Sequence, residues 1–172
     1  MKNARSLFLL ISLACIIGCS KNDNEVSYIS VDRYIELLKS NQYDSLTLPA
    51  YTYNDIPLLL EYRNDTQIIS DFPHNPFSSM WEPECTLGMY VLWTIESIRA
   101  VSINSELLEL RFPSQNPILA KRNSAELELV NDEESRNAAA QSYYDWWKEN
   151  EQKDFEEFKN IDPLANTNYR WH

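Results

Sequence analysis

Glycine is scarce in this sequence. The 172 residues contain only Gly18 and Gly88. Phosphate-binding loops and dinucleotide-binding turns each need several glycines, because the backbone there must approach the phosphate closely. The sequence therefore excludes both kinds of nucleotide site. The same scarcity argues against a sandwich or barrel with many tight hairpins.

Histidine and cysteine are also few. The histidines are His74 and His172, and the cysteines are Cys15, Cys19 and Cys85. No zinc motif can be built from them at the usual spacing. A catalytic triad would need one of the two histidines as its base, and no nucleophile elbow surrounds His74. We expect no metal, no cofactor and no enzymatic activity, and we expect Cys85 to be a small buried hydrophobic residue.

Basic residues are outnumbered by acidic ones. There are 15 Lys and Arg residues against 26 Asp and Glu residues, and the formal net charge is −11. A nucleic-acid-binding protein would show a basic patch, so we expect no nucleic-acid partner. The carboxylates are too numerous for the sequence to single out a catalytic pair of the glycosidase type.

The N-terminus has the pattern of a targeting segment. Lys2 and Arg5 precede an apolar run over residues 7–17, and Ile16–Cys19 reads IIGC. This pattern resembles the lipobox of bacterial lipoproteins, with residues 1–18 as the signal peptide. The resemblance implies cleavage before Cys19 and acylation of that residue, so the lipid bilayer is the first expected partner. Two acyl chains hold a protein stably where one does not.

Residues 19–28 are predicted to be the acylated cysteine and a flexible tether, because they are polar and lack apolar periodicity. Ser20, rather than aspartate, follows the cysteine, and by resemblance to lipoprotein sorting rules this favours the outer membrane. Asp23 and Glu25 resemble the export signal of surface lipoproteins in Bacteroidetes-type bacteria. The expected location is the bacterial cell envelope, on either the periplasmic or the surface face.

Leu87–Ala100, which reads LGMYVLWTIESIRA, is the most apolar stretch of the remaining chain. A helix that is apolar on nearly all sides must be buried on all sides. A buried strand is the alternative, because Tyr90–Ile95 is rich in β-forming residues. The length of the stretch favours a central core helix beginning at about Glu84. Glu96 and Arg99 are expected on its exposed side.

Amphipathic periodicity and capping signals predict further helices around this one. They cover Val31–Ser40 with Ser30 as its N-cap, Ile56–Asn64 after a capping box at Thr52–Asp55, a helix from about Asp132 to Asn150 with acidic residues at its start, and Lys153–Ile161.

Several connecting segments allow more than one interpretation. Glu106–Leu110 has the residues of a short helix, and Ala125–Val130 fits either a helix or a strand. Thr66–Asp71 fits a last helical turn or an extended piece. We expect Asn166–His172 to be an irregular tail pinned by its aromatic residues.

Three proline turns suggest a repeat. Pro76, Pro117 and Pro163 each follow Asn or Asp and lie 41 and 46 residues apart. This spacing falls in the range of about 40–47 residues that is typical of HEAT and armadillo repeats, although such dipeptides are also common in loops. The phrases LPAYTYNDIPLLLEYRND, LGMYVLWTIESIR, YYDWWKEN and IDPLANTNYRW resemble a family of uncharacterised, HEAT-like lipoproteins of Bacteroidetes-type bacteria.

The predicted fold is therefore all-α, with residues 29–172 forming a single domain. We expect a HEAT-like repeat or an orthogonal array of about five to seven helices around the central helix Leu87–Ala100. The resemblance assigns no activity, so it supplies no catalytic residues.

Aromatic residues are the one enriched class that could bind a ligand. Tyr143, Tyr144, Trp146 and Trp147 fall within five positions and must spread over more than one helix face. Exposed Trp and Tyr rings can stack on sugars or anchor a protein partner. The alternative is that these rings fill the space between two helices. Trp81, in the loop before the central helix, is expected to fold back onto the core. The candidate binding residues are Tyr144, Trp146, Trp147 and Trp81.

Together these patterns favour a lipid-anchored binding or scaffold module that mediates protein–protein interaction at the cell envelope. Its acid excess would favour a basic partner surface. The alternative is a glycan-binding accessory lipoprotein that uses exposed Trp and Tyr rings. The partner is thus an unknown envelope protein or a glycan.

Overall fold

A computed structural model describes residues 28–103 and 110–172. The predicted signal peptide, the predicted acylation site Cys19 and the tether up to residue 27 lie outside the described residues. Residues 106–109, in the segment for which a short helix was considered, also lie outside the described residues.

Five α-helices, one 3-10 turn and five short strands make up the described chain. In order they are α1 (Val31–Lys39), the 3-10 turn (Tyr53–Asp55), α2 (Ile56–Leu60), β1 (Ile68–Ile69), β2 (Cys85–Thr86), α3 (Leu87–Ser102), β3 (Leu119–Lys121), β4 (Leu129–Val130), α4 (Glu133–Asn150), α5 (Phe155–Phe158) and β5 (Tyr169–Trp171).

Helix α3 is the centre of the core. Every residue from Leu87 to Ile98 is buried, which confirms the predicted central helix. Its start is later than expected, because Cys85 and Thr86 form strand β2 instead of a first helical turn. Glu96 was expected on an exposed side, and this was wrong, since only 7% of its surface is accessible.

Helices α1 and α4 begin where predicted, and a side chain caps the first turn of each. The Ser30 hydroxyl accepts a hydrogen bond from the Arg33 backbone N–H at 3.3 Å. The Asp132 carboxylate accepts one from the Ser135 backbone N–H at 2.7 Å. These side chains satisfy N–H groups that have no partner inside the helix. The predicted capping box at Thr52–Asp55 is also present.

The all-α prediction was wrong, because the structure contains two antiparallel sheets. Strands β1 and β2 form one sheet, and β4, β3 and β5 form the other in that order. The segment left open between helix and strand therefore contributes β4. The expected irregular tail is strand β5, which pairs Tyr169 with Lys121 and Trp171 with Leu119.

The prediction of a HEAT-like repeat was wrong as well. Between Pro76 and Pro117 the described chain holds β2 and the single helix α3, and between Pro117 and Pro163 it holds β3, β4, α4 and α5. Helix α5 spans only four residues, which is shorter than the predicted Lys153–Ile161. These segments do not repeat a helix pair, so the proline spacing reflects separate loop turns.

Gly88 allows the start of α3 to lie directly against the turn that follows α2. A Cβ atom at this position would lie 2.5 Å from the Arg63 carbonyl oxygen, which no side chain tolerates. The Gly88 N–H donates to the Asp65 carbonyl at 2.9 Å. The glycine is therefore explained by close backbone packing.

A buried polar network joins α3 to α4 and β5. The Glu96 carboxylate pairs with the Arg99 guanidinium and accepts a hydrogen bond from the Tyr143 hydroxyl at 2.7 Å. The Trp171 indole N–H donates to the same hydroxyl at 2.8 Å. Arg99 also donates to the Lys159 carbonyl at 3.0 Å, beyond α5. We call these residues the Glu96 network.

Within the described ranges, no helix has the length and apolar character needed to span a membrane.

Candidate functional site

A surface groove with a volume of about 550 Å³ lies between two loops. One loop, residues 41–46, follows α1, and the other, residues 71–81, connects β1 to β2. We call it the aromatic groove. The aromatic, charged and amide side chains that line it include Trp81, His74, Asp71, Asp44, Asn41 and Gln42.

The end of α1 directs the first loop. Asn41 has a positive φ of 54°, the left-handed conformation that asparagine tolerates better than most residues. The Gln42 N–H donates to the Leu37 carbonyl at 2.8 Å, and the Asn41 N–H donates to Leu38 at 3.2 Å. This is the Schellman pattern of helix termination. It fixes the direction in which the chain leaves α1 towards the groove.

A series of tilted aromatic rings in contact connects the core to the groove. The Tyr90 ring lies 4.7 Å from Phe72, Phe72 lies 4.5 Å from His74, and His74 lies 4.0 Å from Trp81, between ring centroids. Tyr90 is fully buried, whereas Trp81 is 68% exposed. The Tyr90 hydroxyl also donates to the Pro73 carbonyl at 3.0 Å. The exposed indole is thus held by contacts that begin in the core.

Two asparagines brace the second loop against residues 114–116. The Asn75 amide donates to the Ser114 carbonyl at 2.9 Å, and its oxygen accepts from the Phe77 N–H at 3.0 Å. The buried Asn116 amide donates to the Ser78 hydroxyl at 3.0 Å and to the Met80 carbonyl at 3.3 Å. Pro73 and Pro76 restrict the backbone further. The loop therefore presents Trp81 on an ordered backbone.

The polar side chains of the groove are open to a ligand. Asp44 and Asp71 are exposed, and neither forms an ion pair or a side-chain hydrogen bond with another described residue. The side-chain amides of Asn41 and Gln42 are likewise exposed and without such bonds in the described chain. Carboxylates and amides offer acceptors and donors in a planar arrangement.

The electrostatic character of the groove is negative. Among the described residues that line it, none is Lys or Arg. Burial lowers the pKa of His74, because desolvation disfavours the imidazolium, while Asp71 opposes this effect by favouring the charged form. His74 is therefore mainly neutral at pH 7, and the two carboxylates set the charge.

A family model described as a domain of unknown function, DUF4943, matches residues 25–172. The chain belongs to this family. No curated protein and no solved structure matches the chain. The match confirms the expected membership of an uncharacterised family, and both the aromatic groove and the Glu96 network lie inside the DUF4943 region.

The four candidate binding residues of this DUF4943 chain occupy different places. Trp81 lies on the groove and does not fold back onto the core, contrary to expectation. Trp146 and Trp147 are both buried in the hydrophobic core. Tyr144 is half-buried beneath the Arg63 guanidinium, 4.3 Å from its ring centroid. The structure thus leaves Trp81 as the candidate whose ring is freely accessible.

Sequence reasoning missed His74, Asp44 and Asp71 as neighbours of Trp81. The available signal was the phrase FPHNPF, in which two prolines bracket the histidine and indicate an ordered loop. Nothing in the sequence indicated that residues 41–46 lie opposite this loop.

Chemistry elsewhere in the described chain is limited. Over residues 28–103 and 110–172, no group of three or more His, Cys, Asp or Glu residues could hold a metal ion. Cys85 is a free, buried thiol, as predicted, and burial raises its pKa. It therefore lacks the thiolate character that a nucleophile needs.

Proposed function

We propose that this chain is a lipid-anchored, non-catalytic binding module of the bacterial cell envelope whose aromatic groove binds carbohydrate. One observation carries the proposal. Trp81 presents an exposed indole on an ordered loop, next to carboxylate and amide side chains that are without partners in the described chain.

This combination suits a sugar ring. The apolar face of a pyranose can pack on an indole, as other apolar groups do, while its hydroxyls exchange water for carboxylate and amide partners. Because Asn75 and Asn116 already hold the second loop in place, sugar binding requires little further ordering of its backbone. A preorganised site loses less affinity to conformational entropy.

The proposed anchor rests on the IIGC pattern at Ile16–Cys19 and on its resemblance to the lipobox. Acylation of Cys19 would hold the groove close to the membrane surface, where envelope glycans are available. Ser20 supports the outer membrane, and Asp23 and Glu25 support the export that surface lipoproteins of Bacteroidetes-type bacteria undergo. Metabolic labelling with an alkyne fatty acid tests this point, and the Cys19→Ala variant should lose the label.

Glycan binding is tested by screening the purified full-length protein against a panel of envelope and plant oligosaccharides, followed by calorimetry. Trp81→Ala should weaken binding by roughly tenfold or more, because the stacking surface is removed. Trp81→Phe should retain part of the affinity. Tyr53→Ala is the matched control, since Tyr53 is a partly exposed ring that stacks on Phe155 outside the groove.

Two results would contradict the proposal. One is the absence of binding to every saccharide tested. The other is binding that Trp81→Ala and Tyr53→Ala affect equally, which would place the sugar elsewhere.

A protein partner is the second candidate, and one observation favours it. Leu46, which lines the groove, is 85% exposed, and Phe77, in the second loop, is 78% exposed. Exposed apolar surface of this kind can serve as the contact area for a protein partner. Crosslinking in intact cells followed by mass spectrometry would identify such a partner. Phe77→Ala discriminates between the candidates, because Phe77 does not line the groove. It should weaken protein capture and leave saccharide binding unchanged.

A further inference from the structure

The charge of the aromatic groove narrows the class of saccharide that it can take. Asp44 and Asp71 lie on the two loops that form the groove, one on each. Both carboxylates are exposed, and within the described chain no cation pairs with either. An exposed carboxylate of this kind keeps its water shell and can exchange it for a ligand group.

Nearby positive charge is already paired elsewhere. Lys39, at the end of α1 just before the first loop, forms an ion pair with Asp65 at 2.7 Å. His74 adds little charge, because burial lowers its pKa. The groove therefore presents two negative charges, and no basic side chain compensates them among the lining residues that the structure describes.

We propose that the aromatic groove selects a saccharide that carries a protonated amine, with the sugar ring packed on Trp81 and the ammonium group attracted by Asp44 and Asp71. This inference rests on the proposed carbohydrate binding. Saccharides that carry carboxylate or sulfate groups are disfavoured, because their charge would meet two like charges and no cation.

The test uses a pair of ligands that share one sugar backbone and differ in the group on the C2 nitrogen, which is a charged amine in one and a neutral acetamide in the other. A β-1,4-linked tetramer of glucosamine carries amines, and the corresponding N-acetylglucosamine tetramer has the same backbone without them. Calorimetry is done on the full-length protein at a pH that keeps the amines protonated. The glucosamine tetramer should bind about fivefold more tightly than the N-acetylglucosamine tetramer, because two exposed ion pairs contribute a free energy of about that size. A tetramer of a uronic acid should bind more weakly than either.

Two double variants separate a local effect from the overall negative charge. Asp44→Asn with Asp71→Asn should abolish the preference for the glucosamine tetramer. Glu126→Gln with Glu149→Gln is the matched control. Both glutamates are exposed and lie outside the groove, and the two substitutions remove the same amount of charge as those at Asp44 and Asp71. The control should keep the fivefold preference. The preference should also decline as salt is added, since salt screens exposed charges.

Each outcome bears on one of the two proposals. Trp81-dependent binding with equal affinity for both tetramers, or tighter binding of the uronic acid, would overturn the inference and leave carbohydrate binding standing. A preference that both double variants abolish would also overturn it, because overall charge would then be the cause. Failure of every saccharide to bind would overturn both proposals. Trp81-dependent binding, with a preference that only the groove variant removes, would support both.

Discussion

The Glu96 network and the aromatic groove are built from similar residues but differ in what surrounds them. In the network, the carboxylate of Glu96 is buried and has partners in Arg99 and Tyr143, and Tyr143 in turn accepts from Trp171. In the groove, Asp44 and Asp71 are exposed beside Trp81. Both clusters thus combine an indole with carboxylates, one closed by protein partners and one open to solvent.

The difference follows from the cost of removing charge from water. A buried carboxylate is tolerated only when a cation and hydrogen bonds replace its hydration, so the network must be complete. An exposed carboxylate is hydrated and needs no protein partner. The closed cluster is therefore costly to break, whereas the open cluster can bind a ligand.

Removal of Glu96 should have the largest effect on stability. In Glu96→Ala the Arg99 guanidinium loses its buried partner and Tyr143 loses its acceptor, so we expect a loss of about 3–5 kcal/mol in the free energy of unfolding. Chemical denaturation followed by tryptophan fluorescence measures this. Glu149→Ala, an exposed residue on α4, should change the value by less than about 0.5 kcal/mol. A loss below about 1 kcal/mol for Glu96→Ala would mean that the network is not a closed, stabilising unit.

Removal of the Asn116 amide should have a smaller effect that reaches the groove. Asn116→Ala deletes the donors to Ser78 and Met80, and we expect a loss of about 1–2 kcal/mol in stability. Hydrogen exchange should become faster at Ser78 and Met80, and saccharide affinity should fall because the loop is less ordered. Asn123→Ala, at an exposed position between β3 and β4, should change none of these. Unchanged exchange rates in Asn116→Ala would show that the loop is ordered by other contacts.

The smallest expected effect concerns the titration of His74. Burial holds the pKa of His74 below its usual value of 6.5, and Asp71 partly counters this. NMR titration of the imidazole should give a midpoint below 6.5, and Asp71→Asn should lower it further. His172 is the internal control, because burial and Arg170 lower its pKa without any contribution from Asp71.

The sign of the linked stability follows from this shift. Below pH 6.5 the unfolded chain takes up a proton on His74 more readily than the folded chain does. Stability therefore falls as the pH decreases from 6.5 through the folded pKa, and Asp71→Asn should extend that decline to lower pH. A midpoint that Asp71→Asn raises or leaves unchanged would contradict the placement of Asp71 beside His74.

The helices with strong local signals were predictable. Ser30 and Asp132 cap α1 and α4 as their sequence positions indicate, and the apolar run at Leu87–Ile98 forms the buried part of α3. Each of these signals lies within a few residues of the feature it specifies, because helix hydrogen bonds and caps are local.

The strands were not predictable in the same way. Each contains two or three residues, which is too short for an alternating pattern to be recognised. The partner of β3 in the tail, β5, lies some fifty residues away in sequence, and its register depends on tertiary packing.

Local sequence patterns were enough to predict the starts and approximate extents of α1, α3 and α4, the burial of α3 and of Cys85, and the excess of negative charge. That Glu96 is buried and Trp81 exposed depends instead on how distant segments pack together. Periodicity reports the character of one face of one segment, whereas burial depends on which other segments pack against that face. Tyr143, whose hydroxyl Trp171 also contacts, packs against Glu96, while the ordered loop at residues 71–81 holds Trp81 at the surface.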